Sequence, residues 1–283
     1  MKSFKSVLII LILFFLPYNI FSVGGQNECE TQSTDNIRVV SLAPNITEII
    51  FALGKGDTLV GRTDYCNYPA ETADIPSIGS IMEPNIEKII ELEPDLVIAS
   101  THAPEKAAEL IEKAGIRVNY YYNEGSFEGV YNLITSVAKD VGAESIAEKI
   151  NADIKKRFAI VKNKAADIQN RPTVYYVVGF GDGGDWTAGG KTFIGQMIKA
   201  AGGSNIAEDL DGWSYSIEKI VENDPDIILI SSSMKASFST APVYSDLSAV
   251  KNGKLYAINE DLINRPGPRI IEGAELLNDI FRQ

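Results

Sequence analysis

The chain has 283 residues, with 26 Lys and Arg against 38 Asp and Glu, a net charge of −12 and an isoelectric point near 4.7. That acidic balance excludes nucleic acid as a partner, which needs a basic face, and the length is enough for two domains. One histidine, His102, and two cysteines, Cys29 and Cys66, cannot build a zinc or iron–sulfur site in the usual ways, so no protein-held metal is expected.

Lys2 and Lys5 precede the apolar run VLIILILFFL (7–16), and small residues follow around Ser22-Val23-Gly24. This order is that of a secretory signal peptide, residues 1–24, which predicts an exported protein. Its removal takes the charge to −12 − 2 = −14. Left uncleaved, the segment extended to Val23 would anchor the chain in the membrane. Residues 25–36 are polar and aperiodic, a flexible leader. A lipid-anchored chain would carry a cysteine just after the apolar run, behind small residues, whereas Cys29 follows Asn27 and Glu28. The oxidising setting permits a Cys29–Cys66 disulfide, two free thiols being the alternative, and geometry decides between them.

Residues 37–142 read as an N-terminal α/β lobe. IRVVSL is a strand, Pro44-Asn45 turns the chain, and ITEIIFALG is a helix closed by Gly54. TLVGRT is a strand, followed by a long loop with Tyr65, Cys66 and Tyr68. PNIEKIIELEPDLVIAS (84–100) is a short amphipathic helix, a proline turn and a buried strand. A helix from Thr101 to Gly115, a strand at IRVNYYY and a helix over 127–141 complete the lobe. Alternation of this kind implies a parallel sheet covered by helices.

Residues 143–170 change texture. Glu144 to Asn170 contains no Gly or Pro and predicts one charged helix of about 25 residues, near 37 Å at 1.5 Å per residue, a rigid spacer. Residues 171–283 form the C-terminal lobe: the strand RPTVYYVVGF, the glycine-rich loop GDGGDWTAGG, the helix KTFIGQMIKAAGG and a loop with Trp213. The helix–turn–strand block then returns as YSIEKIVENDPDIILIS (215–231). Glu218 and Glu87 differ by 131 residues, and the same offset relates the whole block. A short helix, the strand KLYAIN, the loop DLINRPGP and a closing helix RIIEGAELLNDIF follow.

The glycine-rich loop does not make a phosphate loop, because Asp185 stands where the first glycine is required. No Ser lies in a nucleophile-elbow pattern, and His102 opens a helix without a partner set, so no catalytic residues are assigned and the chain is not read as an enzyme. Glu87 and Glu218 are either ordinary first-turn glutamates, favoured by the helix dipole, or a matched pair of surface contacts. Tyr65, Phe180, Trp186 and Trp213 sit in loops at strand ends, where open α/β sheets bind ligands. Together these rings suggest a cleft for a sizeable, partly apolar ligand.

The blocks RVVSLAPNITEIIFALG, VGRTDYCNYP, IGSIMEPNIEKIIELEPDLVIAS and RPGPRIIEGAELL, in that order, resemble the substrate-binding proteins of ABC importers for iron chelates and cobalamin, class III of the periplasmic binding proteins. The likeness runs over 37–281 and is nearest to the cobalamin branch. It implies two Rossmann-like lobes with parallel sheets joined by a single long α-helix. It implies a periplasmic monomer without a resident cofactor, whose ligand is cobalamin or a related metal chelate. Tyr65 and Trp213 match the aromatic residues that sandwich the ligand, and Arg265 matches a position near the cleft. Glu87 and Glu218 match the glutamates that dock onto arginines of the permease dimer. Trp186 has no counterpart in the family, and Ser80-Ile81-Met82 stand where some cobalamin binders carry a tryptophan. Ferric siderophore or haem binding are the alternatives within the family, and a two-lobed α/β enzyme is the alternative outside it.

Overall fold

The computed structural model describes residues 37–101, 103–122 and 125–283. The signal peptide, the leader, Cys29 and His102 lie outside the described residues. Among the described residues no helix is long and apolar enough to cross a membrane.

The N-terminal lobe runs β1 (Val39–Ser41), α1 (Pro44–Ala52), β2 (Leu59–Arg62), α2 (Ile86–Glu91), β3 (Leu96–Ser100), α3 (Glu105–Lys113), β4 (Arg117–Tyr121) and α4 (Phe127–Val141). Pro44 starts α1 rather than turning the chain. Its missing N–H falls at the first helical position, where no intrahelical acceptor exists. Gly142, at φ 65, ends α4 in the left-handed region, and α5 (Glu144–Ala166) follows at once. The linking helix has 23 residues, about 34 Å at 1.5 Å per residue.

The second lobe runs β5 (Thr173–Val177), β6 (Asp185–Trp186), α6 (Phe193–Ala201), β7 (Ser204–Asn205), β8 (Ser214–Tyr215), α7 (Ile217–Asn223), β9 (Ile227–Ser231), α8 (Lys235–Thr240), α9 (Ser248–Lys251), β10 (Leu255–Ile258), α10 (Asp261–Asn264) and α11 (Ile270–Phe281). The segment predicted as a loop before the last helix therefore contains one helical turn, α10. The glycine-rich loop contains β6, which pairs antiparallel with β8.

Both main sheets are parallel, in the orders β2-β1-β3-β4 and β7-β5-β9-β10. The orders become identical when β1, β2, β3 and β4 are matched to β5, β7, β9 and β10. Register agrees as well: Val39 pairs with Leu96 and Val174 with Ile227, and Leu96 and Ile227 are 131 residues apart. β3 and β9 are buried along their whole length, as strands covered on both faces must be.

The largest apolar core runs through both lobes. α5 packs on α4 of the first lobe and on α6 and α11 of the second. Phe158 of α5 sits 4.1 Å, between ring centroids, from Phe127 of α4, and Phe127 sits 5.3 Å from Phe193 of α6. On the rim, Arg157 of α5 grips Glu275 of α11 through two hydrogen bonds of 2.9 and 2.6 Å. The spacer is thus a wall packed against both lobes. A long helix carrying charge on its outer side needs such an apolar inner stripe to be held.

Candidate functional site

The two repeated blocks agree beyond their sequence. Asn85 caps α2 by accepting from the Lys88 N–H at 3.0 Å, and Ser216 caps α7 by accepting from the Lys219 N–H at 3.3 Å. The residues ahead of the two prolines, Glu93 at φ 45 and Asp224 at φ 35, both adopt the left-handed backbone. Asp95 accepts the N–H of Arg38 just ahead of β1, and Asp226 accepts that of Thr173 at the start of β5, each at 2.8 Å. Glu87 and Glu218 are exposed in the first turns of these helices. One turn further on, Ile90 is 43% exposed and Val221 47%. Each lobe therefore presents an acid beside an uncovered apolar side chain. The Glu218 carboxyl is held below its ordinary value, first by its own backbone N–H and then by the Ser216 hydroxyl.

The strand ends build a different surface. Two cavities of about 260 and 450 Å³ adjoin through shared lining by Thr101, Asn264 and Pro266. The smaller is lined from the first lobe by the start of α1, Tyr65, Ile81 and Ser100, and from the second by Arg265. The larger takes Val178 after β5, Thr192 to Ile194 at the start of α6, and Trp213 before β8. Lining residues come from the C-terminal ends of strands in both lobes, where parallel sheets leave a crevice. The larger cavity alone falls within the range of roughly 300–1,000 Å³ common for small-molecule clefts.

The expected aromatic residues divide. Tyr65 lines the smaller cavity and is 59% exposed, while Trp213 lines the larger and is 44% exposed. They stand on different lobes. Phe180 is packed inward, its ring edge-on to Phe238 at 4.9 Å and to Tyr244 at 5.2 Å, so it serves the core of the second lobe instead. Trp186 is exposed outside the lining of both cavities, and its indole N–H donates to the Gly183 carbonyl at 3.3 Å. Arg265 does line the cleft, but its guanidinium donates to Glu48 at 2.9 Å, Asn67 at 2.7 Å and the Tyr65 carbonyl at 3.3 Å, and it pairs with Asp261 at 2.9 Å.

Asp185 shows why the glycine-rich loop is not an anion cradle. Its carboxylate points inward and accepts from the Tyr244 hydroxyl at 2.8 Å. Burial raises the Asp185 carboxyl above its ordinary value, and burial together with that hydrogen bond pushes the Tyr244 phenol up to about 12. The glycines serve close packing here: a Cβ at Gly195 of α6 would collide with the Gly189 carbonyl. Among the described residues Cys66 has no disulfide partner; it is 2% exposed, with its sulfur between the hydroxyls of Thr47 at 3.1 Å and Thr63 at 3.2 Å.

Several lining residues escaped the sequence reading: Ser100, Thr101, Phe193, Asn264 and Pro266. Ser100 carried a usable signal, as the polar residue ending the first repeated strand. Glu48 and Arg269 carried none, because a charged residue within a helical pattern reads as a solvated one. Both are buried or nearly so, with 2% and 12% of their side chains exposed.

Residues 39–262 match the model of a family described as periplasmic binding protein. An uncharacterized ABC transporter substrate-binding lipoprotein of Bacillus subtilis is 34% identical over 89% of this chain and 82% of its own length. A cobalamin-binding protein of Halobacterium salinarum is 31% identical over 91% of this chain and 72% of its own. Among solved structures, the apo periplasmic heme-binding protein of Roseiflexus sp. RS-1 aligns with a TM-score of 0.80 and 29% identity, over 87% of this chain and 98% of that one.

Proposed function

The chain belongs to the periplasmic binding protein family, as a substrate-binding protein of an ABC transporter, and from that premise we propose that its cleft captures a corrinoid, cobalamin in the first instance. The observation that carries this reading is the pair of exposed rings, Tyr65 and Trp213, one from each lobe, lining adjoining cavities. A planar macrocycle with amide-bearing edges suits such a place. Its faces meet flat rings and the aliphatic walls of Ile81, Val178, Ile194 and Ile263, and its edges meet the hydroxyls and amides of Ser100, Thr101, Thr192 and Asn264. The larger cavity is mostly apolar, as burial of such a ligand requires. The relative that is named a cobalamin-binding protein supports the same substrate.

Capture needs no bond made or broken. Delivery follows from the duplicated face: Glu87 and Glu218 present one carboxylate per lobe to basic side chains of the permease. Haem is the second reading, favoured by the likeness to the heme-binding protein. Its iron would want an axial donor, for which the Tyr65 hydroxyl is the one named lining group with the right chemistry.

The test is retention. Purified protein is incubated separately with cyanocobalamin, ferric haem and a ferric siderophore, desalted, and its visible spectrum recorded. Corrin absorbance surviving desalting, with the other two lost, is the expected result. Retention of haem alone, or of the siderophore alone, overturns the corrinoid assignment.

A further inference from the structure

One buried carboxylate joins the lobes on the cleft side. Glu48 of α1 has 2% of its side chain exposed. It accepts from Arg269 through Nε at 2.8 Å and Nη2 at 2.6 Å, and from Arg265 through Nη1 at 2.9 Å. Both arginines belong to the second lobe, more than two hundred residues along the chain, and are 13% and 12% exposed. The same pair holds the loop after β2. Arg265 reaches Asn67 and the Tyr65 carbonyl, and the Arg269 guanidinium lies 3.8 Å from the centre of the Tyr68 ring. Beside this cluster, Asn45 of α1 donates to the Pro266 carbonyl at 3.4 Å.

A carboxylate taken out of water this far is tolerable only when its oxygens are filled by charged donors in good geometry. Here both oxygens are filled, by three N–H groups from the opposite lobe. Besides the Gln196 amide, which donates to the Gly125 carbonyl of the first lobe at 2.8 Å, the lobes are fastened along α5 by apolar packing and at the cleft by an ionic clasp. Rotation of one lobe about α5 would have to break the clasp, leaving the Glu48 carboxylate buried without a counter-charge and taking from Arg269 its carboxylate partner, while Arg265 would keep only Asp261.

We propose that Glu48, Arg265 and Arg269 form an inter-lobe latch that fixes the cleft in its ligand-ready width and holds Tyr65 in place before the ligand arrives. These three are positioning residues. Arg265 lines the cleft, yet its donors are committed to the latch. The ligand benefit is preorganisation: the loop carrying Tyr65 has no ordering cost left to meet at binding. That part rests on the proposed role of Tyr65 in ligand capture, whereas the latch itself does not.

The two can be told apart. Spin labels placed through Lys113→Cys and Lys254→Cys in a Cys29→Ser background, both on the surface and one in each lobe, report the lobe separation without any ligand. Wild-type protein should give one narrow distance, unchanged by cyanocobalamin. Glu48→Gln should broaden it and should speed hydrogen exchange at 64–69. Arg269→Lys, which keeps a cation beside Glu48 but loses the two-pronged contact and the stack on Tyr68, should do the same to a smaller extent. It also serves as the readout if Glu48→Gln fails to fold. Cyanocobalamin affinity should fall by roughly an order of magnitude in Glu48→Gln. A distance as narrow as wild type in the folded variants, with exchange at 64–69 unchanged, overturns the latch. A broadened distance in a protein that retains no corrin leaves the latch standing and removes the corrinoid reading.

Discussion

Residues 85–100 and 216–231 correspond in cap, backbone, burial and exposed side chains, down to two left-handed residues ahead of two prolines. At the same offset the cleft shows no such agreement. Trp213 corresponds to Met82, and although Tyr65 and Trp213 both lie in the loops after the matched strands β2 and β7, Tyr65 stands three residues after β2 and Trp213 eight after β7. Both regions descend from the same topology, so the sheets do not explain the contrast. What each region faces does. A surface that keeps the same acid and the same apolar neighbour on both lobes suits a partner with two equivalent halves. A cleft whose two walls differ suits a single ligand with unlike faces. The internal repeat thus supports the proposed division into partner contacts and ligand contacts.

The largest test of this contrast reverses the charge at both repeated positions. Glu87→Arg with Glu218→Arg should abolish uptake in cells that depend on this protein, while cyanocobalamin affinity stays within about twofold, since neither residue lines the cleft. Each single variant should lose part of the uptake, and by a similar amount. Should affinity fall in step with transport, the division into a docking face and a ligand face is wrong. A strong effect from one residue and none from the other would instead break the equivalence of the two lobes.

The next effect lies on the ligand side. Trp213→Ala should weaken cyanocobalamin binding roughly tenfold, in line with about 1–1.5 kcal/mol for an aromatic contact beyond its buried area. Met82→Ala, at the corresponding position, should change it little, because Met82 is 67% exposed and lies outside the lining of both cavities. Isothermal titration would decide. Equal losses would mean that the cleft is as duplicated as the docking face.

Much of this was legible because periodicity reports burial. The strand and helix order of the first lobe, the spacer and the repeat follow from apolar spacing and from glycine and proline, whereas the two-residue strands β7 and β8 of the second lobe are too short to show a period. The boundaries that shifted have local causes. Pro44 suits a helix start as well as a turn, and α10 is a four-residue turn too short to show a period. The site was legible only in part, because a ring in a loop can face either way. Phe180 and Tyr65 both follow strands, yet Phe180 is drawn inward by Phe238 and Tyr244 while Tyr65 is held outward by a loop tied to Arg265. The latch was invisible for a related reason: its partners are separated by 217 and 221 residues, and charge alone does not say which glutamate is buried.

The smallest effects test how far the equivalence of the two blocks extends. Asn85→Ala and Ser216→Ala each remove one accepted hydrogen bond from a third-position N–H, and each should cost about 1 kcal/mol. For a chain of this size that lowers the melting temperature by roughly 2–4 °C, and the two costs should add because the sites share no partner. The blocks differ in one respect that pH can expose. Glu218 is held below its ordinary value partly by the Ser216 hydroxyl. A carboxyl depressed in the folded state contributes stability that is present above its unfolded value and is lost as pH falls through the folded one. Ser216→Ala moves Glu218 back toward its ordinary value, so part of its cost should vanish once the medium is acid enough to protonate the carboxyl in both proteins. Urea midpoints taken at neutral pH, and again below the ordinary carboxylate range, would show this. If the gap between wild type and Ser216→Ala stays the same at both, the hydroxyl caps the helix without holding the carboxylate. Glu218 would then owe its lowered value to its own backbone N–H alone.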